Sequence, residues 1–242
     1  SGEKIKMTMG SKNQKNGGGI IFMITNILQE QIEYYRQRAA EYDEWFFRQV
    51  RYDRGVAHRQ QWFAEISEVE TALFAAKPSG DVLELACGTG LWTQHLARLA
   101  THLTAVDASP EVIVINQNRV KSESVKYIIA DLFNWTPTQK FDWVFFGFWL
   151  SHVPLEKFTD FWQIVSAALK PNGHAFFVDS LFDQTSPAVN HAERKLNDGR
   201  IYQVVKIFHE PIQLEKSLQK LGWTGNIYTT ANHFIYGSIR LS

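Results

Sequence analysis

The apolar residues of this chain follow two rhythms in succession. Between Asn26 and Phe47, Ile27, Leu28, Ile32, Tyr35, Ala39, Tyr42 and Phe46 recur at the spacing of one helix face. Val56 to Ala76 repeats that stripe with Trp62, Phe63, Ile66, Val69 and Leu73. Two helices are therefore expected before anything extended, the second broken by Pro78-Ser79-Gly80. Short apolar runs then take over at 82–85, 103–106, 125–129, 143–146 and 175–178, separated by amphipathic stretches near 91–100, 110–120 and 155–169. Such alternation predicts a parallel sheet with helices on both faces. Past Asp179 the pattern changes. A helix is expected over 188–196, a turn at Asn197-Asp198-Gly199, a strand over 200–208 and a helix over 211–221, with 227–228 and 234–241 closing the sheet.

Residues 1–22 carry Lys4, Lys6, Lys12, Lys15 and a run of three glycines but no apolar repeat, so they are expected to be a disordered leader or an added tail. The remainder, 23–242, is long enough for one sizeable core, with helices over 23–77 ahead of the sheet and an insertion over 180–210. Lys plus Arg (25) equals Asp plus Glu (25), which removes the broad positive field that draws in nucleic acid. No apolar run approaches the roughly 18 residues of a membrane span. The single cysteine, Cys87, forms no intrachain disulfide, and a reducing cytoplasm is the expected compartment. The eight histidines lack paired ligand spacing, so no metal is expected.

Candidate chemistry begins at Asp81-Val82-Leu83-Glu84-Leu85-Ala86-Cys87-Gly88-Thr89-Gly90. A buried strand runs into a small-residue turn and then a helix, which lets a ligand approach backbone N–H groups at the carboxyl edge of the sheet. The pattern Ala86-x-Gly88-x-Gly90 differs from the longer dinucleotide fingerprint and points away from NAD. Asp107, followed by Ala108, ends the second strand where a carboxylate can accept both hydroxyls of a ribose. Asp131-Leu132-Phe133 follows the third, placed to meet an adenine amino group and cover its ring. Any one of these aspartates is also what an ordinary strand end or helix cap carries; the ordered set is more specific.

With these motifs the sequence resembles the class I, Rossmann-like S-adenosylmethionine-dependent methyltransferases from about Gln31 to Ile239. The resemblance implies a doubly wound seven-stranded α/β sheet, mostly parallel, with the last strand antiparallel. It also implies that Glu84 helps hold the glycine loop and the methionine amino group, that Gly88 lies against the methionine moiety, and that Asp107 and Asp131 contact ribose and adenine. Ala86 stands where the family most often has glycine. Within the family, 34–43, Gly90-Leu91-Trp92-Thr93, Phe148-Trp149-Leu150-Ser151-His152-Val153-Pro154, Asp198-Gly199-Arg200 and Lys206-Ile207-Phe208 are similar to a phosphonate O-methyltransferase of antibiotic biosynthesis.

Methyl transfer from a sulfonium is an in-line displacement, so most of the catalysis is positioning and exclusion of water. An anionic oxygen needs no base; an alcohol, phenol or protonated amine does. His152, after the fourth strand, is the candidate base, though a histidine there also serves as a helix-start packing residue. An anionic acceptor needs fixed cations, and Arg194 with Lys206, brought together by the turn at 197–199, are the candidates. The same two residues also read as solvated charges. Tyr35 and Tyr42 share one helix face; in related enzymes the helices over 23–77 form a lid, which would set Tyr35 against the acceptor and Tyr42 against the cofactor, although tyrosines at this spacing also serve as core packing. Trp92 and Phe148 are expected to wall the sulfonium, whose charge is attracted to aromatic faces. The expected partner is a small-molecule acceptor. Alternatives are N- or C-methylation of a neutral metabolite, and methylation of RNA or protein docked through the basic leader.

Overall fold

A computed structural model describes residues 16–181 and 190–242. In chain order its strands are β1 (Asp81–Leu85), β2 (His102–Asp107), β3 (Val125–Ile129), β4 (Phe141–Gly147), β5 (Leu169–Ser180), β6 (His191–Lys195), β7 (Ile201–Val205), β8 (Trp223–Thr229) and β9 (Phe234–Leu241). Its helices are α1 (Asn16–Gln37), α2 (Tyr42–Phe46), α3 (Val56–Ala76), α4 (Thr93–Leu99), α5 (Pro110–Val120), α6 (Phe158–Ala168) and α7 (Pro211–Lys220). Seven strands form one sheet in the order β3-β2-β1-β4-β5-β9-β8, and β6 pairs with β7 as a separate hairpin. The first five strands run parallel, and β9 is antiparallel to both neighbours.

Strands of the parallel half read as unbroken apolar runs because both faces are covered. On β4, Val144 and Phe146 belong to the cluster that holds Phe161 and Trp162 of α6 and Phe177, while Phe145 belongs to the one on the other face, its ring against Trp92 and Phe176. Each such ring contributes about 2 kcal/mol by leaving water. Chain order reverses at β1, whose neighbours are β2 and β4, so the crevice of the sheet opens beyond Leu85, Asp107 and Gly147. Among the described residues no helix is long and apolar enough to cross a membrane.

Three expectations change here. Instead of a helix over 188–196, the described part is the strand β6, because Ala192, Arg194 and Leu196 face inwards while His191, Glu193 and Lys195 face out. The helix-forming composition Ala-Glu-Arg-Lys-Leu is overridden by pairing across the turn, with Arg194 opposite Tyr202. Residues 182–189 lie outside the described residues. Secondly, α1 begins at Asn16, inside the expected leader; residues 1–15 lie outside the described residues. Thirdly, the single helix expected over 26–47 is broken at Arg38 into a 3-10 turn, Ala39–Glu41, and the short α2. Asp43, carried by α2, is drawn to the glycine loop, where it accepts from Thr89 Oγ1 at 2.7 Å and pairs with Arg119. Helix propensity at Ala39-Ala40 yields to that contact.

Candidate active site

The turn after β1 is held open by its backbone. Ala86, Gly88 and Gly90 all have left-handed φ, at 53°, 52° and 91°. A Cβ on Gly90 would fall 2.6 Å from Oδ1 of Asn116, the buried side chain that ties the loop together by donating to Gly88 O (3.1 Å) and Thr93 Oγ1 (2.8 Å). Asp107 accepts from Gly88 N–H and Ser109 N–H, each at 2.9 Å. Burial pushes its carboxyl up, and those backbone donors pull it back. Asp131 accepts from Phe133 N–H at 3.0 Å and from Asn134 Nδ2 at 2.7 Å.

Two adjoining pockets open at this edge. Ala108, Asp107, Asp131, Leu132 and Phe133 line the one suited to a nucleoside; Glu84 and Trp92 line the other, and Tyr42, Ala86, Gly88 and Phe148 line both. Gly90 lines neither, and acts through its close approach to Asn116. The second pocket contains a buried acceptor and a buried donor without partners among the described residues, Glu84 Oε2 and Trp92 Nε1. Burial raises the Glu84 carboxyl to about 8. An ammonium beside it and a carboxylate near the indole N–H would satisfy both, so these residues fit the methionine end of S-adenosylmethionine. Phe148 has φ 56°, an uncommon conformation for a bulky residue. That strain presses its ring among Trp45, Trp92 and Phe234, at 4.8, 6.5 and 5.8 Å.

Beyond this wall lies a larger cleft of about 510 Å³ between the lid and the β6–β7 hairpin; Tyr35, Tyr42, Phe148 and His152 face both it and the nucleoside pocket. His152 Nδ1 lies 2.7 Å from Val205 O, which can only accept, so Nδ1 carries the proton and Nε2 receives the Tyr35 hydroxyl at 2.9 Å. Burial, then the charge of Lys206, holds the imidazole well below its ordinary range, and burial pushes the Tyr35 hydroxyl up. Both groups are neutral at pH 7. His152 thus has no free nitrogen facing the cleft, and any proton it takes passes through Tyr35. Gln31 of α1 braces the pair, donating to His152 O (3.2 Å) and accepting from Val205 N–H (3.0 Å).

Arg194 and Lys206 both line the cleft, as the reversed chain predicts, whereas Arg200 lies outside it, paired with Asp198 and bound to Gln37 Oε1 at 2.9 Å. They differ in readiness. Lys206 is buried, donating to Ser151 Oγ at 2.8 Å, with Asp179 3.7 Å away. Burial lowers its ammonium and Asp179 opposes that. Arg194 is half-buried and makes no ion pair among the described residues. Sequence reasoning missed Arg38, which is buried, packed over Tyr42 at 5.0 Å and bonded to the Tyr52 hydroxyl at 3.3 Å. Its place three residues after Tyr35, on the same helix face, is the signal that would have found it. It also missed the strained segment with Arg48 and Val50 at φ 53° and 50°; nothing local in the sequence marks those turns.

The described lining of the cleft carries seven Lys or Arg residues and one acid, Glu193. A protein with equal numbers of charges overall has concentrated one sign here.

Comparison with known proteins agrees with this geometry. A methyltransferase-domain family model matches residues 82–173. The chain superposes on DhpI solved with SAH, with TM-score 0.76 and 36% identity, covering 89% of this chain and 97% of that one. A DhpI complex with SAM and HEP has TM-score 0.77 and 36% identity, covering 88% and 97%. Nodulation protein S of Sinorhizobium fredii is 31% identical over 104 residues, 41% of this chain and 47% of that protein. Malonyl-[acyl-carrier protein] O-methyltransferase of Bacillus cereus is 31% identical over 85 residues, 34% and 32%. The matched stretch thus spans less than half the length of either of these last two relatives. This chain belongs to the S-adenosylmethionine-dependent methyltransferases.

Proposed function

We propose that this enzyme methylates an anionic oxygen of a small molecule, most simply a phosphonate. The observation that carries the reading is the cationic lining of the acceptor cleft: Arg38, Arg194 and Lys206 stand near the Tyr35–His152 pair, and among the described residues only Lys206 of the three has an ion-pair partner, Asp179 at 3.7 Å. Three fixed donors of that kind suit a tetrahedral oxyanion, which accepts through several oxygens at once. An oxygen already carrying negative charge also has no proton to lose, which suits a His152 that is neutral and whose Nε2 is already engaged. The likeness to DhpI, solved with HEP alongside SAM, and the sequence resemblance to phosphonate O-methyltransferases support the same acceptor class.

S-adenosylmethionine supplies the electrophilic methyl group. The residues of this chain orient and enclose. Glu84 and Trp92 fix one end of the cofactor, Asp107 and Asp131 the other, and Phe148 walls the sulfonium with its ring face. His152 Nε2 takes the single proton of the Tyr35 hydroxyl, so towards an anionic acceptor Tyr35 is a wall of the cleft held in one orientation and not a donor. Arg194 and Lys206 hold the oxyanion for in-line attack. The direct test is transfer of labelled methyl to a panel of phosphonates, carboxylates, phenols and amines. Turnover of phosphonates is expected; turnover confined to amines or phenols would overturn the reading.

A further inference from the structure

The cleft has an outer end that a compact phosphonate held at Arg194 and Lys206 leaves unused. There Arg48 is 7% exposed and its guanidinium lies 3.4 Å from the centroid of the Trp62 ring and 5.0 Å from that of Trp45. Stacking uses the face of the guanidinium and leaves its in-plane N–H groups to find acceptors. Two of its nitrogens, Nε and Nη2, are buried with no hydrogen-bond partner among the described residues. It makes no ion pair there with any acid. Its closest charged neighbour by influence is Arg54, another cation, and burial together with Arg54 lowers its guanidinium to about 10.

A cation held this way is costly: buried donors without acceptors, a like charge beside it, and left-handed backbone at Arg48 and at the β-branched Val50. Strain of this kind persists where the site needs a side chain aimed in one direction. Arg48 lines the acceptor cleft together with Arg54, His58 and Asn232. Trp45, in contact with Arg48, lies 4.8 Å from the Phe148 ring, so this end is joined through one aromatic ring to the wall shared with the cofactor pocket.

We infer that Arg48 is the centre of a second oxyanion subsite, and that the natural acceptor is an elongated molecule bearing two acid groups. One is the oxyanion methylated at Arg194 and Lys206; the other is a carboxylate or phosphoryl group received in plane by Arg48. This rests on the phosphonate reading above and adds to it the charge and length of the substrate.

The test compares alkylphosphonates with ω-carboxyalkylphosphonates of matched length over a series of spacers. With the unmodified enzyme, kcat/KM is expected to be about 10- to 100-fold higher for the carboxylated member at the best spacer, the effect falling mainly on KM. Arg48→Gln is expected to collapse that ratio towards one, with SAH affinity unchanged as the check that the variant is folded. If alkylphosphonates turn over as well as every carboxylated member, the second subsite is wrong and the phosphonate reading stands. If no phosphonate turns over, both fall. Should Arg48→Gln fail to bind SAH, the spacer series on the unmodified enzyme decides alone: a preference that peaks at one length supports the subsite, and a flat series overturns it.

Discussion

The cofactor pocket and the acceptor cleft share a wall but are built by opposite means. The pocket comes from one stretch of chain, Glu84 to His152, supplemented by the N-terminal helices, and its polar contacts are backbone N–H groups and carboxylates at strand ends. The cleft is assembled from segments far apart in sequence, near 35–62, 148–152, 180–181, 193–208 and 232–233, and is lined by long cationic side chains. A site made of strand ends is placed by the sheet itself and keeps its geometry while other surfaces change. A site made of arginines on a lid and a hairpin can be respecified one side chain at a time.

The largest expected separation of the two comes from Asp107→Ala. Removing the carboxylate deletes the acceptor for Gly88 and Ser109 N–H along with the proposed ribose contact. Loss of two charge-assisted bonds is about 3 kcal/mol, or roughly 100-fold in SAH affinity by calorimetry. If affinity falls less than tenfold, Asp107 is not the ribose ligand.

Arg194→Gln should do the reverse. With SAH affinity unchanged, kcat/KM for an anionic acceptor should fall by about 30-fold, the scale of one charge-assisted contact. An equal loss for both ligands would show that the hairpin supports the whole site rather than gripping the acceptor. Lys206 is a poorer probe because its removal also strands the buried Asp179.

This contrast also explains what could be read in advance. That Glu84, Gly88, Asp107 and Asp131 line the pockets was legible because it depends on position relative to strand ends, and strands announce themselves in apolar runs. The sheet was legible for the same reason. Arg194 and Lys206 were legible only as a pair linked by the turn at 197–199, and the helix expected at Arg194 was wrong because tertiary pairing with Tyr202 outweighs local propensity. Arg38 and Arg48 were not found as cations of the site, since what distinguishes them is burial without an acid, a property of contacts made over long sequence distances. Likewise the break in the lid at Arg38 follows from Asp43 reaching Thr89 and Arg119, which no local pattern encodes.

The Tyr35–His152 pair stands on the boundary, and pH probes which side it serves. Because burial holds the folded His152 well below the ordinary value near 6.5, the unfolded chain takes up its proton first as pH falls. Its contribution to stability is therefore full above about 6.5 and is lost progressively below, at up to about 1.4 kcal/mol per pH unit. Denaturant midpoints at pH 8 and pH 5.5 should differ less in His152→Gln than in the unmodified protein. In kinetics, Tyr35→Phe should lower kcat by less than about tenfold if the acceptor oxygen is already anionic. A drop of 100-fold or more would mark proton removal through Tyr35 and turn the cleft towards an alcohol, phenol or amine.

The smallest effect belongs to Ala86, at φ 53° in the glycine loop. An alanine there costs about 1–2 kcal/mol relative to glycine in the folded state, while glycine gives back about 0.5–1 kcal/mol through the freer unfolded chain. Ala86→Gly should therefore raise stability by about 0.5 kcal/mol by denaturant titration. The Ala86 methyl also packs against the core beside β1, and a measured loss of stability would mean that this contact outweighs the backbone strain. In either case SAH affinity should stay within about twofold, because the loop is held by Asp107 and Asn116 and not by the side chain at 86. A larger change in affinity would show that Ala86, unlike its neighbours on the loop, shapes the pocket with its side chain.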